Sequence, residues 1–119
     1  MSYIDGFVVP VPRRSVAKYK AMARKMSRIW RDHGALAYTE TMADDVKPGK
    51  VTSFPQAVKL KPGEVVWLSF VKFKNRRHRD RVNKNAMKDA RVAKIMASKD
   101  MPFDMKRIFF GGFKVVIDA

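Results

Sequence analysis

Glu64-Val65-Val66-Trp67-Leu68-Ser69-Phe70-Val71-Lys72-Phe73-Lys74 is the stretch on which the fold turns. Its β-branched and aromatic residues suit a pleated strand. A period of two sets Val66, Leu68 and, less cleanly, Phe70 against Val65, Trp67, Ser69 and Val71. Neither face is polar. A strand of this kind belongs in a sheet at least half covered on both sides.

Upstream of it, residues 51–62 hold Pro55 and Pro62 and keep no period, which predicts an irregular excursion with one turn of helix. Residues 35–46 read as a strand, with Leu36, Tyr38 and Glu40 on one face and Ala37, Thr39 and Thr41 on the other, closed by the turn-forming run from Asp44 and Asp45 to Pro48-Gly49. Within residues 13–33, Val16, Tyr19, Met22, Ala23, Met26, Ile29 and Trp30 recur at three- and four-residue spacing among lysines and arginines. That is an amphipathic helix, opened by Ser15 or the Pro12 turn and stopped by Gly34 in a left-handed C-cap. Residues 3–11 form a first strand, ended by Pro10 and Pro12.

Downstream, Asn75 caps a second helix running to about residue 89 with Val82, Ala86 and Met87 inward, and residues 91–97 form a short helix with Val92, Ile95 and Met96. After a turn around Pro102, residues 107–117 read as a fourth strand with a bulge at Gly111-Gly112. The order β-α-β-β-α-β is the ferredoxin-like α+β arrangement, an antiparallel sheet carrying both helices on one face. The other face is then apolar and open, which soluble monomers seldom tolerate. A second copy is expected to cover it, giving a homodimeric α/β barrel whose interior is filled or left as a small pocket.

At 119 residues the chain is expected to form one domain over 1–119. Its 46% apolar and 11% aromatic content argues against disorder. No apolar run approaches the roughly 18 residues of a membrane span, and the N-terminus has no signal-peptide pattern, so a cytoplasmic location is expected. Without cysteine there are no disulfides, thiolate nucleophiles or thiolate metal sites. His33 and His78 lack ligand spacing, so neither a metal nor a cofactor is expected.

Several stretches carry a family likeness: Tyr3-Ile4-Asp5-Gly6-Phe7-Val8-Val9-Pro10, His33-Gly34-Ala35-Leu36, Ala43-Asp44-Asp45-Val46, Gly49-Lys50-Val51-Thr52-Ser53-Phe54-Pro55, Arg79-Asp80-Arg81-Val82-Asn83, and Met101-Pro102-Phe103-Asp104 with Gly111-Gly112-Phe113. On these the chain resembles the uncharacterised YbaA-like family of bacterial proteins, within the dimeric α/β-barrel superfamily, along essentially its whole length. The resemblance implies the fold and the dimer; it carries no established activity and no catalytic residue. More distant barrels include cofactor-independent monooxygenases, haem-handling enzymes and regulatory ligand-binding domains, and fold does not choose among them. It also implies a roughly neutral or acidic chain. Here 26 basic residues stand against 11 acidic ones, a net charge of +15.

Eight of those cations, Arg13, Arg14, Lys18, Lys20, Arg24, Lys25, Arg28 and Arg31, lie on or at the start of the first helix, and eleven more run from Lys72 to Lys99. Exposed helices usually mix signs, because like charges one turn apart repel by roughly 0.2–0.5 kcal/mol. Three readings of the excess stand: a merely solvated basic surface, a surface that binds polyanions, and deliberate supercharging of a natural barrel. The polyanion reading assigns Arg14, Lys18, Arg24, Lys25, Arg28, Arg31, Arg76, Arg77, Arg79, Lys84 and Lys88. With no helix-turn-helix, zinc finger or exposed aromatic ladder, such binding of nucleic acids or negatively charged proteins is expected to be electrostatic and non-specific.

Candidate chemistry is sparse. Asp5 interrupts an apolar strand, so it needs a cationic or hydrogen-bonding partner such as Tyr38, or it carries a raised pKa as an acid. His33 either caps the first helix or acts as a base, and Tyr38 is a third candidate. Tyr38, Trp67, Phe70, Phe103 and Phe109 either fill the core or line an apolar pocket lidded by the loop around Pro102. The leading expectation is a non-enzymatic cationic barrel that binds polyanions. The alternative is a small-molecule-binding or cofactor-independent oxygenase-like barrel with an apolar interior pocket.

Overall fold

A computed structural model describes residues 1–119. The elements are β1 (Tyr3–Pro12), a 3-10 turn (Arg13–Ser15), α1 (Val16–Asp32), β2 (Ala37–Met42), α2 (Phe54–Ala57), β3 (Glu64–Phe73), α3 (Arg76–Met87), α4 (Ala90–Met96) and β4 (Phe109–Lys114). The four strands form one antiparallel sheet in the order β2-β3-β1-β4, so β1 and β3 are central. This is the split β-α-β order expected from the sequence.

Side-chain alternation decides what each face touches. Tyr3, Asp5, Phe7, Val9 and Val11 of β1, with Val65, Trp67, Ser69, Val71 and Phe73 of β3, point toward the helices. Tyr19 and Ala23 of α1 pack on Val9, Val11, Val65 and Trp67, and Val82 of α3 packs with Tyr3, Val71 and Phe73. Ile29, Ala86 and Val92 join α1, α3 and α4. On the opposite face, Val58 and Leu60, just beyond α2, cover Val8 and Val66. The rest of that face is bare: Leu68 and Phe70 are 41% and 36% exposed, Phe109 and Phe113 42% and 58%.

Local signals explain most boundaries. Gly34 takes a φ of +111° and ends α1, a conformation that strains any residue with a Cβ. Asn75 accepts the His78 N–H to open α3, and Ser53 accepts the Gln56 N–H to open α2. Asp89 is the N-cap of α4, accepting the Arg91 N–H, and α3 therefore closes at Met87. Several boundaries differ from expectation: β1 runs through Pro10, which pairs with Val66, as far as Pro12, and β4 covers Phe109–Lys114 rather than residues 107–117. α1 starts at Val16, with Ser15 making no side-chain cap, because the residues after Pro12 tighten into the 3-10 turn. Met87, expected inward, is 59% exposed at the end of α3. β2 is shorter than residues 35–46, although the Leu36 and Ala43 N–H groups still donate to Lys72 and Val66 of β3. Lastly, Gly111-Gly112 is not a bulge. Gly6 pairs with Gly111 and Asp5 with Gly112 in unbroken register, and the glycine at 112 is needed because a Cβ there would collide with the Arg79 guanidinium and the Tyr3 ring.

Candidate functional site

Where α1 crosses the edge of the sheet, β2 and β3 present a set of polar groups to the helix. The register sets Glu40 of β2 opposite Ser69 of β3 and Met42 opposite Trp67, all facing the helical layer with Tyr38. A groove of about 370 Å³ opens there, lined by Lys20, Ala23, Arg24 and Ser27 of α1 and by Tyr38, Glu40, Met42 and Trp67. Tyr19, 4% exposed, packs beneath it with its ring 4.7 Å from Trp67 and T-shaped against Phe103.

The Tyr19 hydroxyl donates to Glu40 Oε1 at 2.7 Å, and the Ser69 hydroxyl donates to the same oxygen at 2.5 Å. Oε2 is left with only the longer 3.3 Å contact to Tyr19. No lysine or arginine forms an ion pair with this carboxylate. Burial raises the Glu40 pKa above the ordinary carboxylate range, and the bonds from Ser69 and Tyr19 only partly pull it back. Burial first, and the Glu40 charge second, push Tyr19 and Tyr38 well above the usual phenol range, so both remain neutral donors. Trp67 is 4% exposed, and its indole Nε1–H is buried without an acceptor. The groove is thus lined by a carboxyl group with a raised pKa and by a tryptophan whose buried N–H has no acceptor.

Asp5 is taken up elsewhere. It receives Arg79 Nε at 2.8 Å and Asn83 Nδ2 at 3.0 Å, while Asn83 Oδ1 accepts from the Trp30 indole at 2.9 Å. The Arg79 guanidinium also lies 5.1 Å from the centre of the Tyr3 ring. Every partner comes from β1, α1 or α3, so the network fastens the central strand to the helices. His33, the C-cap residue of α1, bonds Asp89 at 2.8 Å. His78 is buried against Phe73, accepts the Lys74 N–H on Nδ1, and is held neutral by burial and the nearby charges of Arg81 and Lys74.

The five pocket aromatics separate. Tyr38, Trp67 and Phe103 lie on the helix side of the sheet, whereas Phe70 and Phe109 occur on the bare face, where strand alternation puts them. Of the basic set, Arg79 is bound to Asp5 and Asp80, Lys18 pairs with Asp100, and Arg31 donates to the Ala35 and Leu36 carbonyls. Arg76 lies 3.9 Å from Asp80. Arg14, Arg24, Lys25, Arg28, Arg77, Lys84 and Lys88 are exposed and outside every ion pair.

Glu40 was the residue missed. Its place in β2, beside Tyr38 in the alternation, was legible; the Ser69 and Tyr19 hydroxyls that meet it come from elements 29 and 21 residues away in sequence. A carboxylate in an inward register of a strand was the available signal.

Fold and site together define an α+β protein with a four-stranded antiparallel sheet, helices on one face, and a half-buried carboxyl group at the seam between helix and sheet. The chain belongs to the family described as "Protein of unknown function (DUF1428)", which matches residues 2–105. It is 41% identical over 118 residues, 99% of both chains, to "Uncharacterized protein YbaA" of Escherichia coli strain K12, and equally to the protein of that name from Shigella flexneri. Among solved structures it is similar to "Structure of Rv0793 from Mycobacterium tuberculosis", with a TM-score of 0.56, 10% identity, and coverage of 100% of this chain and 99% of the other. That likeness concerns the fold alone. Neither relatives nor structure support deliberate supercharging, and no helix is long and apolar enough to cross a membrane.

Proposed function

We propose that this protein binds a small organic molecule in the groove between α1 and the β2-β3 edge, with Glu40 as the group that exchanges a proton with it. The observation that carries this reading is that one groove is lined by Glu40, whose carboxyl group has no cationic partner, and by Trp67, whose indole N–H is buried without an acceptor. A ligand that donates to Glu40 and accepts from Trp67 satisfies both, as a hydroxyl beside a carbonyl or carboxylate does. The Trp67 and Tyr38 rings suit a flat aromatic body, and Lys20 and Arg24 at the rim favour an anionic one. Two copies are proposed to close on the bare sheet face, burying Leu68, Phe70, Phe109 and Phe113 as a homodimer.

Salicylate and catechol are suitable probes, read by tryptophan fluorescence in a Trp30→Phe background that leaves Trp67 as the reporter. Binding that changes with pH in the native groove and loses that dependence in Glu40→Gln is the expected result. Failure of both probes to bind, or a pH profile untouched by the substitution, refutes the reading. For the dimer, sedimentation should show Leu68→Glu shifting a dimer to monomer; a monomer before substitution defeats it.

A second reading has its own observation, the seven exposed and unpaired cations on and around α1 and α3. These are proposed to attract polyanions without sequence preference, through counterion release. Duplex DNA should then bind at low salt and dissociate by roughly 0.5 M. Salt-insensitive or absent binding refutes it.

A further inference from the structure

A second groove, of about 520 Å³, lies between α1, α4 and the loop at Asp100–Pro102, away from Glu40. We propose that it docks an acidic amphipathic helix from another protein. Its floor is apolar: Met22 and Ile29 from α1, Ile95 from α4, and Met101. Lys25 and Arg28 stand on the α1 wall and Lys94 on the α4 wall, exposed and unpaired. Two other cations of the lining are already neutralised, Lys18 by Asp100 and Arg91 by Asp32 and Asp89. The free charges therefore flank the apolar floor.

That distribution selects the occupant. A lipid headgroup needs its cations gathered at one end of an apolar slot, whereas here they stand on both sides of the floor. The complement is a segment with an apolar stripe between two rows of carboxylates, as an acidic amphipathic helix presents. The α1 wall from Lys18 to Ile29 rises about 16 Å, the length of three helical turns. Met22 and Met101 are unbranched and adapt to the side chains of a partner. No aromatic residue lines the groove, so bases would find nothing to stack on. A second copy of this chain is a poor occupant, because it brings another +15 to a cationic wall.

This inference adds to the polyanion reading a requirement for apolar patterning, and the test separates the two. A helical peptide of about 14 residues, with a leucine stripe and glutamates on both flanks, is compared by fluorescence anisotropy at about 0.15 M salt with a scrambled peptide of identical composition. The striped peptide should bind at least tenfold more tightly. Lys25→Glu with Lys94→Glu should abolish that binding without lowering the melting temperature, both residues being exposed on a cationic surface. Ile95→Ser should weaken the striped peptide and leave the scrambled one unaffected. Equal binding of the two peptides overturns the docking site while leaving non-specific anion binding in place. Indifference to the double charge reversal also overturns it. So does displacement of the striped peptide by decyl sulfate at equal charge concentration.

Discussion

Replacing Arg79 with methionine tests whether Asp5 is a structural carboxylate. The Asp5 side chain is 8% exposed on a central strand, held by Arg79 Nε at 2.8 Å and Asn83 Nδ2 at 3.0 Å. Methionine retains an apolar stem beside Tyr3 but leaves the carboxylate with a single amide donor. Breaking a buried pair from one side costs about 3–5 kcal/mol, because the remaining charge stays desolvated. With a urea slope of roughly 1–3 kcal/mol/M, the unfolding midpoint should fall by about 1 M or more. Tryptophan fluorescence at pH 7 reads the transition, at one fixed protein concentration because association adds to apparent stability. Adding Asp5→Asn to the Arg79 variant removes the stranded charge and should recover about half of the loss or more. A cost under about 1 kcal/mol for Arg79→Met contradicts the reasoning. So does a second substitution that deepens the loss, and either outcome restores Asp5 as a candidate acid.

Three other outcomes follow from the same structure. Burial raises the Glu40 pKa in the folded state, so its contribution is fully present below the unfolded value of about 4.3 and lost as pH rises through the raised one. The melting temperature of Glu40→Gln minus that of the parent should therefore increase with pH, and a flat difference rejects the assignment. Glu64 behaves oppositely: its bonds from Arg107 lower its pKa, so that stabilisation holds above about 4.3 and is lost as pH falls through the lowered value. Arg107→Ala should cost about 3 kcal/mol and expose the chain near Lys59 to protease, since Arg107 also donates to the Lys59 carbonyl at 3.0 Å; protection equal to the parent's argues against the clasp. Gly112→Ala should destabilise by about 1–3 kcal/mol. Gly111→Ala, whose new Cβ meets only the Phe113 ring at 3.8 Å, should not, and equal urea midpoints for the two would discount the close approach at Gly112.

The sheet and its helices were readable because their signals are local. Alternation through residues 64–74 assigned both faces of β3 correctly, and Asn75 and Gly34 marked helix ends by their own chemistry. The Gly111-Gly112 pair misled for the opposite reason. Glycine in a strand marks either a bulge or a close approach, and the approaching groups, Arg79 and Tyr3, sit far off in the chain. Asp5 was recognised as needing a partner, but nothing near it in sequence pointed to Arg79 and Asn83, 74 and 78 residues on. The same distance hid the Glu40 cluster. Charge counting identified a basic helical surface; it could not separate the cations spent on Asp5, Asp89 and Asp100 from those left free.

The central position of β1 bears on how the chain acquires its structure. Its two neighbours are β3 and β4, and the β4 pairing joins residues as far apart in sequence as Tyr3 and Lys114. Pairings of such long sequence separation are slow, because the loop must be closed before any contact rewards it. Until β4 has been synthesised, the apolar run from Phe7 to Val11 lacks one of its two neighbours. During that interval the strand is open to mispairing, and Pro10 and Pro12, which cannot donate to a ladder, limit what another chain can add to it.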